Sequence, residues 1–372
     1  MKFIITQTDL KKLAARANAV TQEKPTIPVL GCVILDARAD GIYVLAGAGT
    51  GEKPLVYESR LSTNVVAPGI VAIPAKSLLD TAKNLPTGAV TVSIPKDGKV
   101  QFEAGKTKVT LPTHTESEFP RPAVENGGTV VTVKGSDLAL GLERVRASVA
   151  PPDNKYGLGG VFMDPMADGI VRLVTTDGNR LTWAAVKFSD TVAKTKLLIP
   201  GTTIPELIRL ATDAGDNDVS LTFLARSITA TVGDERLNTR MLEADFPDYR
   251  QVLPKQFQRT ALIDREELTE VVRRVSAFAT DGARTTTLSF AEDGTLTVKA
   301  SGFDYGDATD EVTADLVGEP MTISFNGRYL IDALDAISGG RVKFRMGDVL
   351  SPCIITDLND AGAEFVVMPV RA

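Results

Sequence analysis

The chain repeats one structural unit three times, and this internal repeat constrains the fold more than any other feature. Three segments each join a short strand to an amphipathic helix. These segments are FIITQTDLKKLAARANAV, VTVKGSDLALGLERVRASV and TALIDREELTEVVRRVSAF. A second kind of helix follows Ile73, Ile199 and Ile323, which stand 126 and 124 positions apart. Chance does not explain matches that recur in the same order.

Each unit also ends in three short alternating strands, a period-2 pattern typical of half-buried β-structure. In the first unit these are AVTVSI, KVQFEAG and KTKVTLP. The unit is therefore about 125 residues of mostly β-structure with two helices. We predict an α+β fold of three tandem similar domains, with boundaries at 1–125, 126–255 and 256–372.

An acid-Phe-Pro pattern follows the last strand of the first two units. It reads ESEFPRPAV at the first interdomain crossing and MLEADFPDYRQVLP at the second. The third unit has no successor, and its last strand runs into FVVMPVRA. The aromatic side chains of the second crossing require a surface to cover them.

The composition is that of an ordinary globular protein, with 43% hydrophobic and 24% charged residues. A net charge of −6 argues against a uniformly basic surface but leaves room for a local basic patch. Basic residues do recur on the helices. They are Lys11, Lys12, Arg16, Lys76, Lys83, Arg144, Arg146, Arg209, Arg273, Arg274 and Arg328. These side chains form either solvated helix faces or one surface that meets phosphates.

No catalytic or metal-binding constellation stands out. His114 is the only histidine, and Cys32 and Cys353 are expected to be reduced core thiols. The stretch LAGAGTGEKP, Leu45–Pro54, matches neither phosphate-loop pattern, so we predict a strand connection there. The start lacks the features of a secretory signal, and no apolar run is long enough to span a membrane. We expect neither cofactor nor metal.

Charge differs between the first and third units. Lys106 and Lys108 alternate along a strand of the first, so both are expected on one face, whereas Asp304 and Asp307 follow each other in the third. Such opposite edges predict head-to-tail contacts between chains that close into a ring. The predicted interface is Lys106, Lys108, Val109, Phe278, Asp304 and Asp307.

End to end, the chain resembles the bacterial sliding clamps, the β subunits of DNA polymerase III. The resemblance rests on KPTIPVLG, IPAKSLLDTAKNLP, VTTDGNRL, ADFPDYRQVLP, FNGRYLIDALDAI and VVMPVRA. It implies a cytoplasmic, nucleoid-associated, non-enzymatic processivity factor: a homodimeric ring around duplex DNA of any sequence. Its helices would line the hole. The implied partners are the polymerase catalytic subunit, the clamp loader, and other polymerases and repair proteins that carry clamp-binding peptides.

The resemblance also implies individual site residues. Those for DNA are Lys24, Lys76, Lys155, Tyr156 and Arg209. Those for a partner-peptide pocket are Leu158, Thr176, Gly178, Arg180, Leu181, Pro247, Val252, Met368, Pro369, Val370 and Arg371. Phe246 and Leu253 are expected to pack at a domain seam, while Pro247 and Val252 face outward beside the terminus.

The chain departs from the family pattern at its first-domain loop and at its end. Clamps commonly end in Met-Arg-Leu, where this chain has Val370-Arg371-Ala372. Gly201 and Thr202 also lack the basic character usual in clamps. Two alternatives therefore stay open: a specialised or inhibitor-resistant clamp paralogue with altered partner preference, and an enzyme that uses GAGTG to bind a nucleotide.

Overall fold

A computed structural model describes most of the chain. The described residues are 1–22, 25–47, 49, 54–95, 98–119, 127–151, 154, 158–192, 197–280, 282, 284–302 and 306–370. Within them lie α-helices and β-strands, as predicted for an α+β fold. The helices are α1 (Gln7–Val20), α2 (Ala75–Asn84), α3 (Gly135–Arg146), α4 (Ile204–Ala214), α5 (Arg265–Ser276) and α6 (Gly327–Asp335). All six fall where the repeat predicts a helix.

The strands come in the order that the repeat predicts. They are β1 (Lys2–Thr6), β2 (Cys32–Arg38), β3 (Gly41–Ala46), β4 (Leu55–Leu61), β5 (Asn64–Ala67), β6 (Gly69–Pro74), β7 (Ala89–Ser93), β8 (Val100–Ala104), β9 (Thr107–Leu111), β10 (Thr129–Lys134), β11 (Gly160–Pro165), β12 (Ile170–Thr176), β13 (Arg180–Lys187), β14 (Leu197–Pro200), β15 (Asp218–Phe223), β16 (Ser227–Val232), β17 (Glu235–Arg240), β18 (Arg259–Asp264), β19 (Thr285–Phe290), β20 (Thr295–Gly302), β21 (Gly306–Val317), β22 (Met321–Asn326), β23 (Arg341–Met346), β24 (Cys353–Asp357) and β25 (Ala363–Val367).

Side-chain caps fix where several helices begin. The Thr6 hydroxyl accepts a hydrogen bond from the Asp9 amide at 3.1 Å, and Asp264 accepts one from the Glu267 amide at 2.9 Å. Each satisfies an amide that has no partner inside its helix. The buried face of α1 includes the predicted Leu10, Leu13, Ala14 and Ala17. Side-chain caps and apolar residues at helical spacing therefore explain why these segments form helices.

The chain divides into two compact units. The first comprises Met1–Ala139, Phe188–Ala193 and Thr202–Leu242; the second comprises Leu140–Lys187, Lys194–Gly201 and Glu243–Ala372. This division into two units does not test the three domain boundaries, which stay a prediction.

The first unit holds a five-stranded sheet, β5-β1-β7-β8-β9, and an eight-stranded sheet, β10-β15-β16-β17-β4-β3-β2-β6. The eight-stranded sheet joins strands of the first and second repeats through the antiparallel pair β17–β4. On one face of this sheet, Phe119 of the first crossing packs with Val29, Ile34 and Ala72.

The second unit holds a twelve-stranded sheet, β14-β11-β12-β13-β25-β24-β23-β18-β21-β20-β19-β22. It joins strands of the second and third repeats through the antiparallel pair β13–β25. A buried cluster on this sheet includes Leu181, Trp183, Val366 and Tyr249, the last from the second crossing. This cluster brings the crossing and the last strand of the chain to one place.

Candidate functional site

A tight turn between β12 and β13 forms one side of the predicted peptide pocket. The Thr176 hydroxyl donates a hydrogen bond to the Arg180 carbonyl oxygen at 2.7 Å, and the Gly178 amide donates to the Thr176 hydroxyl at 3.2 Å. Gly178 has a φ of 94°, a left-handed conformation that a side chain would strain. Asp177-Gly178 therefore gives the turn its shape.

Arg180 anchors this turn from within the protein. Its Nε donates to Asp177 at 2.9 Å, its Nη1 donates to Asp332 on α6 at 2.7 Å, and its Nη2 donates to the Ala147 carbonyl oxygen. The guanidinium also lies 4.3 Å from the centre of the Tyr329 ring, a cation–π contact. Its side chain is only 12% exposed. These contacts hold Arg180 in place and so fix the turn. Sequence reasoning did not identify Tyr329 and Asp332 as its partners.

The second crossing is fixed to the sheet mainly by Tyr249, whose role the sequence did not reveal. Tyr249 is 1% exposed, and its hydroxyl donates to Asp164 on β11 at 2.8 Å. Burial raises the pKa of Tyr249; a hydrogen bond with Arg172 opposes this shift, and the bond to Asp164 adds to it. Arg250 forms an ion pair with the same carboxylate.

Four other side chains of the crossing differ in how far they are buried. Phe246 stacks on Phe162 with ring centres 4.9 Å apart and an angle of 7° between planes. Phe246 and Leu253 are partly buried against the Tyr249 cluster. Pro247 and Val252 are exposed, so they are available to a ligand.

The end of the described chain lies beside the turn. The Met368 amide donates to the Asn179 carbonyl oxygen at 3.0 Å, and the Val370 amide donates to the Ser324 carbonyl oxygen at 2.8 Å. Met368, Pro369 and Val370 are half-buried. Main-chain bonds therefore place the terminal segment against the turn, whereas Arg371 lies outside the described residues.

Two of the predicted pocket residues are buried apolar side chains. Leu181, 3% exposed, belongs to the Tyr249 cluster and lies opposite Val366 of the last strand in the sheet. Leu158, 5% exposed, directly precedes β11, and its contribution to the pocket stays a prediction.

Of the residues predicted to touch DNA, the structure describes Lys76 and Arg209. Lys76 is exposed in the first turn of α2. Arg209 is exposed on α4 and forms an ion pair with Glu206 at 3.1 Å. Lys24, Lys155 and Tyr156 lie outside the described residues.

Two helix arginines that were candidates for phosphate contact are buried instead. Arg16 is 4% exposed and pairs with Asp213 at 2.6 Å and Glu235 at 3.7 Å. Arg144 is 7% exposed and pairs with Asp360. These buried arginines pair with partly exposed acids, so neither of the two alternatives, a solvated helix face or a phosphate surface, holds for them.

The predicted chain–chain interface is partly described. Lys108 is exposed on β9 and pairs with Glu103 at 3.0 Å, while Phe278 is 38% exposed after α5. Val109 is half-buried and Asp307 is exposed, whereas Asp304 lies outside the described residues. Lys106 and Lys108 are both exposed; β9 begins at Thr107, so Lys106 lies in the turn just before the strand.

Metal binding or thiol chemistry in the described part of the chain would depend on its His, Cys, Asp and Glu side chains. No group of three or more His, Cys, Asp or Glu side chains there has the geometry of a metal site. Cys32 and Cys353 are free and buried, and burial raises the pKa of the Cys32 thiol to about 11. His114 is half-buried, and its amide donates to the Ala72 carbonyl oxygen at 2.9 Å. Of the described helices, none has both the length and the apolar composition needed to span a bilayer.

Family models match almost the whole chain. The N-terminal, central and C-terminal domains of the DNA polymerase III beta subunit match residues 1–123, 132–248 and 250–371. The chain belongs to the DNA polymerase III beta subunit family.

Relatives and solved structures agree with this membership. The beta sliding clamp of Caulobacter vibrioides is 28% identical over 377 residues, with 100% of both chains covered. A sliding clamp from Bartonella birtlesii bound to griselimycin superimposes with a TM-score of 0.92 at 26% identity, covering 100% of both chains. One from Pseudomonas aeruginosa, also bound to griselimycin, gives a TM-score of 0.90 at 26% identity, again with 100% of both covered.

These similarities confirm the predicted family, the α+β clamp fold and the function of a DNA sliding clamp. The family is a non-catalytic processivity factor of DNA polymerase III, which decides against the nucleotide-using enzyme. The similarities do not favour the alternative of a specialised or inhibitor-resistant clamp paralogue.

Proposed function

We propose that two copies of this chain close into a ring around duplex DNA and tether partner proteins through a groove formed by the predicted pocket residues. The groove carries the proposal. Its walls are the crossing with Pro247 and Val252, the turn at Gly178, and the terminal segment Met368–Val370. We assign Leu181 to its base, because Leu181 is buried in the same cluster as Tyr249 of the crossing and Val366 of the last strand.

This groove suits a short peptide with apolar anchors. Half-buried Met368, Pro369 and Val370 offer apolar surface, and Val252 of the crossing is 46% exposed. Burying such anchors contributes on the order of 2 kcal/mol for each well-packed side chain. The groove needs no charge of its own, because Arg180 is already paired with Asp177 and Asp332.

A double substitution tests the groove directly. We expect Met368→Ala with Pro369→Ala to weaken a clamp-binding peptide by about tenfold or more in calorimetric titration, since both apolar contacts are lost. Leu358→Ala is the matched control, because Leu358 is an apolar side chain with 39% exposure in the same unit. An unchanged peptide affinity in the double variant contradicts the proposed groove.

Contact with DNA is proposed through scattered cations rather than base recognition. A ring that slides needs phosphate contacts without sequence readout, and a few lysines and arginines supply them. We propose Lys76 and Arg209 for this role, together with Lys24, Lys155 and Tyr156.

The salt dependence of DNA binding tests this part separately. Each lost phosphate contact lowers the slope of log affinity against log salt by about 0.9. We expect Lys76→Glu with Arg209→Glu to lower the slope by about 2, whereas Lys299→Glu, an exposed charge on β20, leaves it unchanged. An unaltered slope in the double variant removes these residues from the DNA surface.

The proposed ring joins Lys106, Lys108 and Val109 of one copy to Phe278, Asp304 and Asp307 of the other. Opposite charges flank an apolar contact there, which suits a head-to-tail interface. Light scattering at micromolar concentration is expected to give a dimer. A strict monomer contradicts the ring. In such a ring the chain acts on nucleoid DNA in the cytoplasm, with the polymerase catalytic subunit, the clamp loader, and other polymerases and repair proteins as partners.

A further inference from the structure

The cations of the helices divide into two groups. Within the described part of the chain, each helix arginine forms an ion pair with an acid. Lys12 on α1 is also paired, with two acids. Lys11, Lys76 and Lys83 are exposed, and no described acid pairs with any of them. Among the described helices, the cations that remain available to a ligand therefore lie on α1 and α2.

The two helices bring Lys11 and Lys83 to neighbouring places. Gln7 Nε2 on α1 donates to the Ala82 carbonyl oxygen on α2 at 2.7 Å, so the beginning of α1 lies beside the end of α2. Lys11 follows Gln7 by four residues and therefore lies on the same side of α1. Lys83 directly follows Ala82 in the chain. Both lysines thus lie where α1 meets α2.

Lys76 extends this surface along α2. It precedes Lys83 by seven residues, which is two helical turns or about 10.5 Å along the axis, so the two share one stripe. That stripe lies opposite the buried Leu78 and Ala82. Lys11, Lys76 and Lys83, here called the lysine surface, all belong to the first unit.

The acids nearest to the lysine surface along the chain do not neutralise it. Asp80 stands four residues after Lys76 and three before Lys83, spacings at which ion pairs form on a helix. It pairs with neither lysine among the described contacts. Asp9 on α1 instead accepts a hydrogen bond from the Thr6 hydroxyl at 2.6 Å. The charge of the lysine surface is therefore left for an anion from outside.

The arginines of α5 show the opposite arrangement. Arg273 donates to Asp335 on α6 at 2.7 Å, and Arg274 donates to Asp310 on β21 at 2.8 Å. A phosphate that bound either arginine would have to displace a carboxylate that already neutralises it. Arg209 differs, because its partner lies one turn away on its own helix, and such exposed pairs contribute little.

Lysine also suits a contact that must move along DNA. Its ammonium group is a compact point charge on a flexible stem, so it meets a phosphate from many directions. The planar guanidinium of arginine instead favours one bidentate geometry. Lysines therefore attract the backbone without fixing the position of the duplex.

We propose that the lysine surface is the main phosphate contact of the described helices, so that the DNA backbone lies against α1 and α2. Lys11 and Lys83 join Lys76 as DNA contacts, while Arg273 and Arg274 keep their acids. This inference rests on the proposed function, because it requires a duplex to lie against the helices.

A fluorescent duplex tests the assignment on the intact protein, with anisotropy followed over a series of salt concentrations. We expect Lys11→Gln with Lys83→Gln to make the slope of log affinity against log salt shallower by about 2, since each phosphate contact contributes about 0.9. Arg273→Gln with Arg274→Gln is the matched control, because it removes the same charge from two exposed helix positions and is expected to leave the slope unchanged. Light scattering checks that both variants keep the assembly of the parent.

The outcomes separate this inference from the proposed function. An equal change of slope in both double variants, or no change in the lysine variant, overturns the lysine surface. If the slope responds to Lys76→Glu with Arg209→Glu but not to the lysine variant, this inference alone is wrong. A parent without salt-dependent DNA binding contradicts the proposed function and the lysine surface together.

Releasing a paired arginine tests the role of pairing. Asp335→Asn removes the acid that holds Arg273 and leaves α5 unaltered. We expect the slope to become steeper by up to about 0.9, because the released guanidinium gains access to phosphate. An unchanged slope in this variant shows that pairing does not keep Arg273 from the DNA, and it overturns the distinction on which the proposal depends.

Discussion

The two walls of the proposed peptide groove are held in different ways. The crossing wall, Ala244–Pro254, is fixed by side chains: Tyr249 is buried, bonds Asp164, and is flanked by the stacked rings of Phe246 and Phe162. The terminal wall, Met368–Val370, is held by amide hydrogen bonds to Asn179 and Ser324, and its side chains are half-buried.

This difference separates stability from recognition. A wall fixed by its own buried side chains cannot lose them without loosening the fold. A wall held by its backbone keeps its position when its side chains change, because the amides remain. The terminal wall can therefore vary in chemistry at low cost in stability, which is where this chain departs from the commoner clamp ending.

The largest effect is expected at the crossing wall. Replacing Tyr249 with alanine removes a large buried ring and leaves the Asp164 carboxylate with one donor fewer. Such truncations cost about 3–5 kcal/mol of unfolding free energy. Urea denaturation measures the loss, and we expect peptide affinity to fall in parallel because Pro247 and Val252 lose their support.

The terminal wall provides the control for that experiment. Met368→Ala is expected to change the free energy of unfolding by under about 1.5 kcal/mol, since the side chain is half-buried and its amide bond persists. If Tyr249→Ala and Met368→Ala destabilise the fold equally, the contrast between the walls is wrong.

A smaller effect isolates the hydroxyl of Tyr249. Tyr249→Phe keeps the ring and removes the hydroxyl with its hydrogen bonds to Asp164 and Arg172. Hydrogen bonds to charged groups contribute about 1.5–3 kcal/mol, and the remaining Arg250 pair limits the loss to the lower end of this range. Denaturation of the parent and the variant side by side measures it; a difference near zero shows that ring packing alone fixes the crossing.

The elements of the fold could be predicted from the sequence, but the anchors of the site could not. Helix α1 was predictable because Leu10, Leu13 and Ala17 recur at helical spacing and Thr6 caps the start. Tyr249 shows no such local signal, because Asp164 lies 85 residues away along the chain. A local sequence pattern predicts which face of a helix or strand is buried. It does not predict which residue far away in the sequence contacts that face.

The burial of charged side chains could not be predicted from the sequence for the same reason. Arg16 looks like a surface residue in a local window, yet its partner Asp213 is 197 residues away. Arg144 and Asp360 are 216 residues apart. The repeat itself was readable because it compares the chain with itself at long range.

Alkaline pH offers a further way to separate the walls. Burial raises the pKa of Tyr249 above its ordinary value of about 10. The neutral phenol therefore contributes stability that is fully present below about pH 10 and is lost as the pH rises through the raised folded-state pKa. We expect the unfolding free energy of the parent to fall more steeply above pH 10 than that of Tyr249→Phe. Tyr57, whose pKa burial raises to about 12, contributes equally to both proteins and cancels in the difference. Parallel curves contradict a titrating Tyr249.

The smallest expected effect lies at the terminal wall, where Val370→Met restores the side chain of the commoner clamp ending. The longer side chain adds apolar surface at the groove, and each additional buried methylene contributes about 0.8 kcal/mol, or roughly fourfold in affinity. Titration with a clamp-binding peptide is expected to show a gain of this size, with unfolding free energy unchanged because the Val370 amide still bonds Ser324. Val349→Met, a matched change at a side chain that is 53% exposed in the same unit, is the control. A change in stability without a change in affinity would show that Val370 supports the fold rather than the ligand, and that the two walls are alike after all.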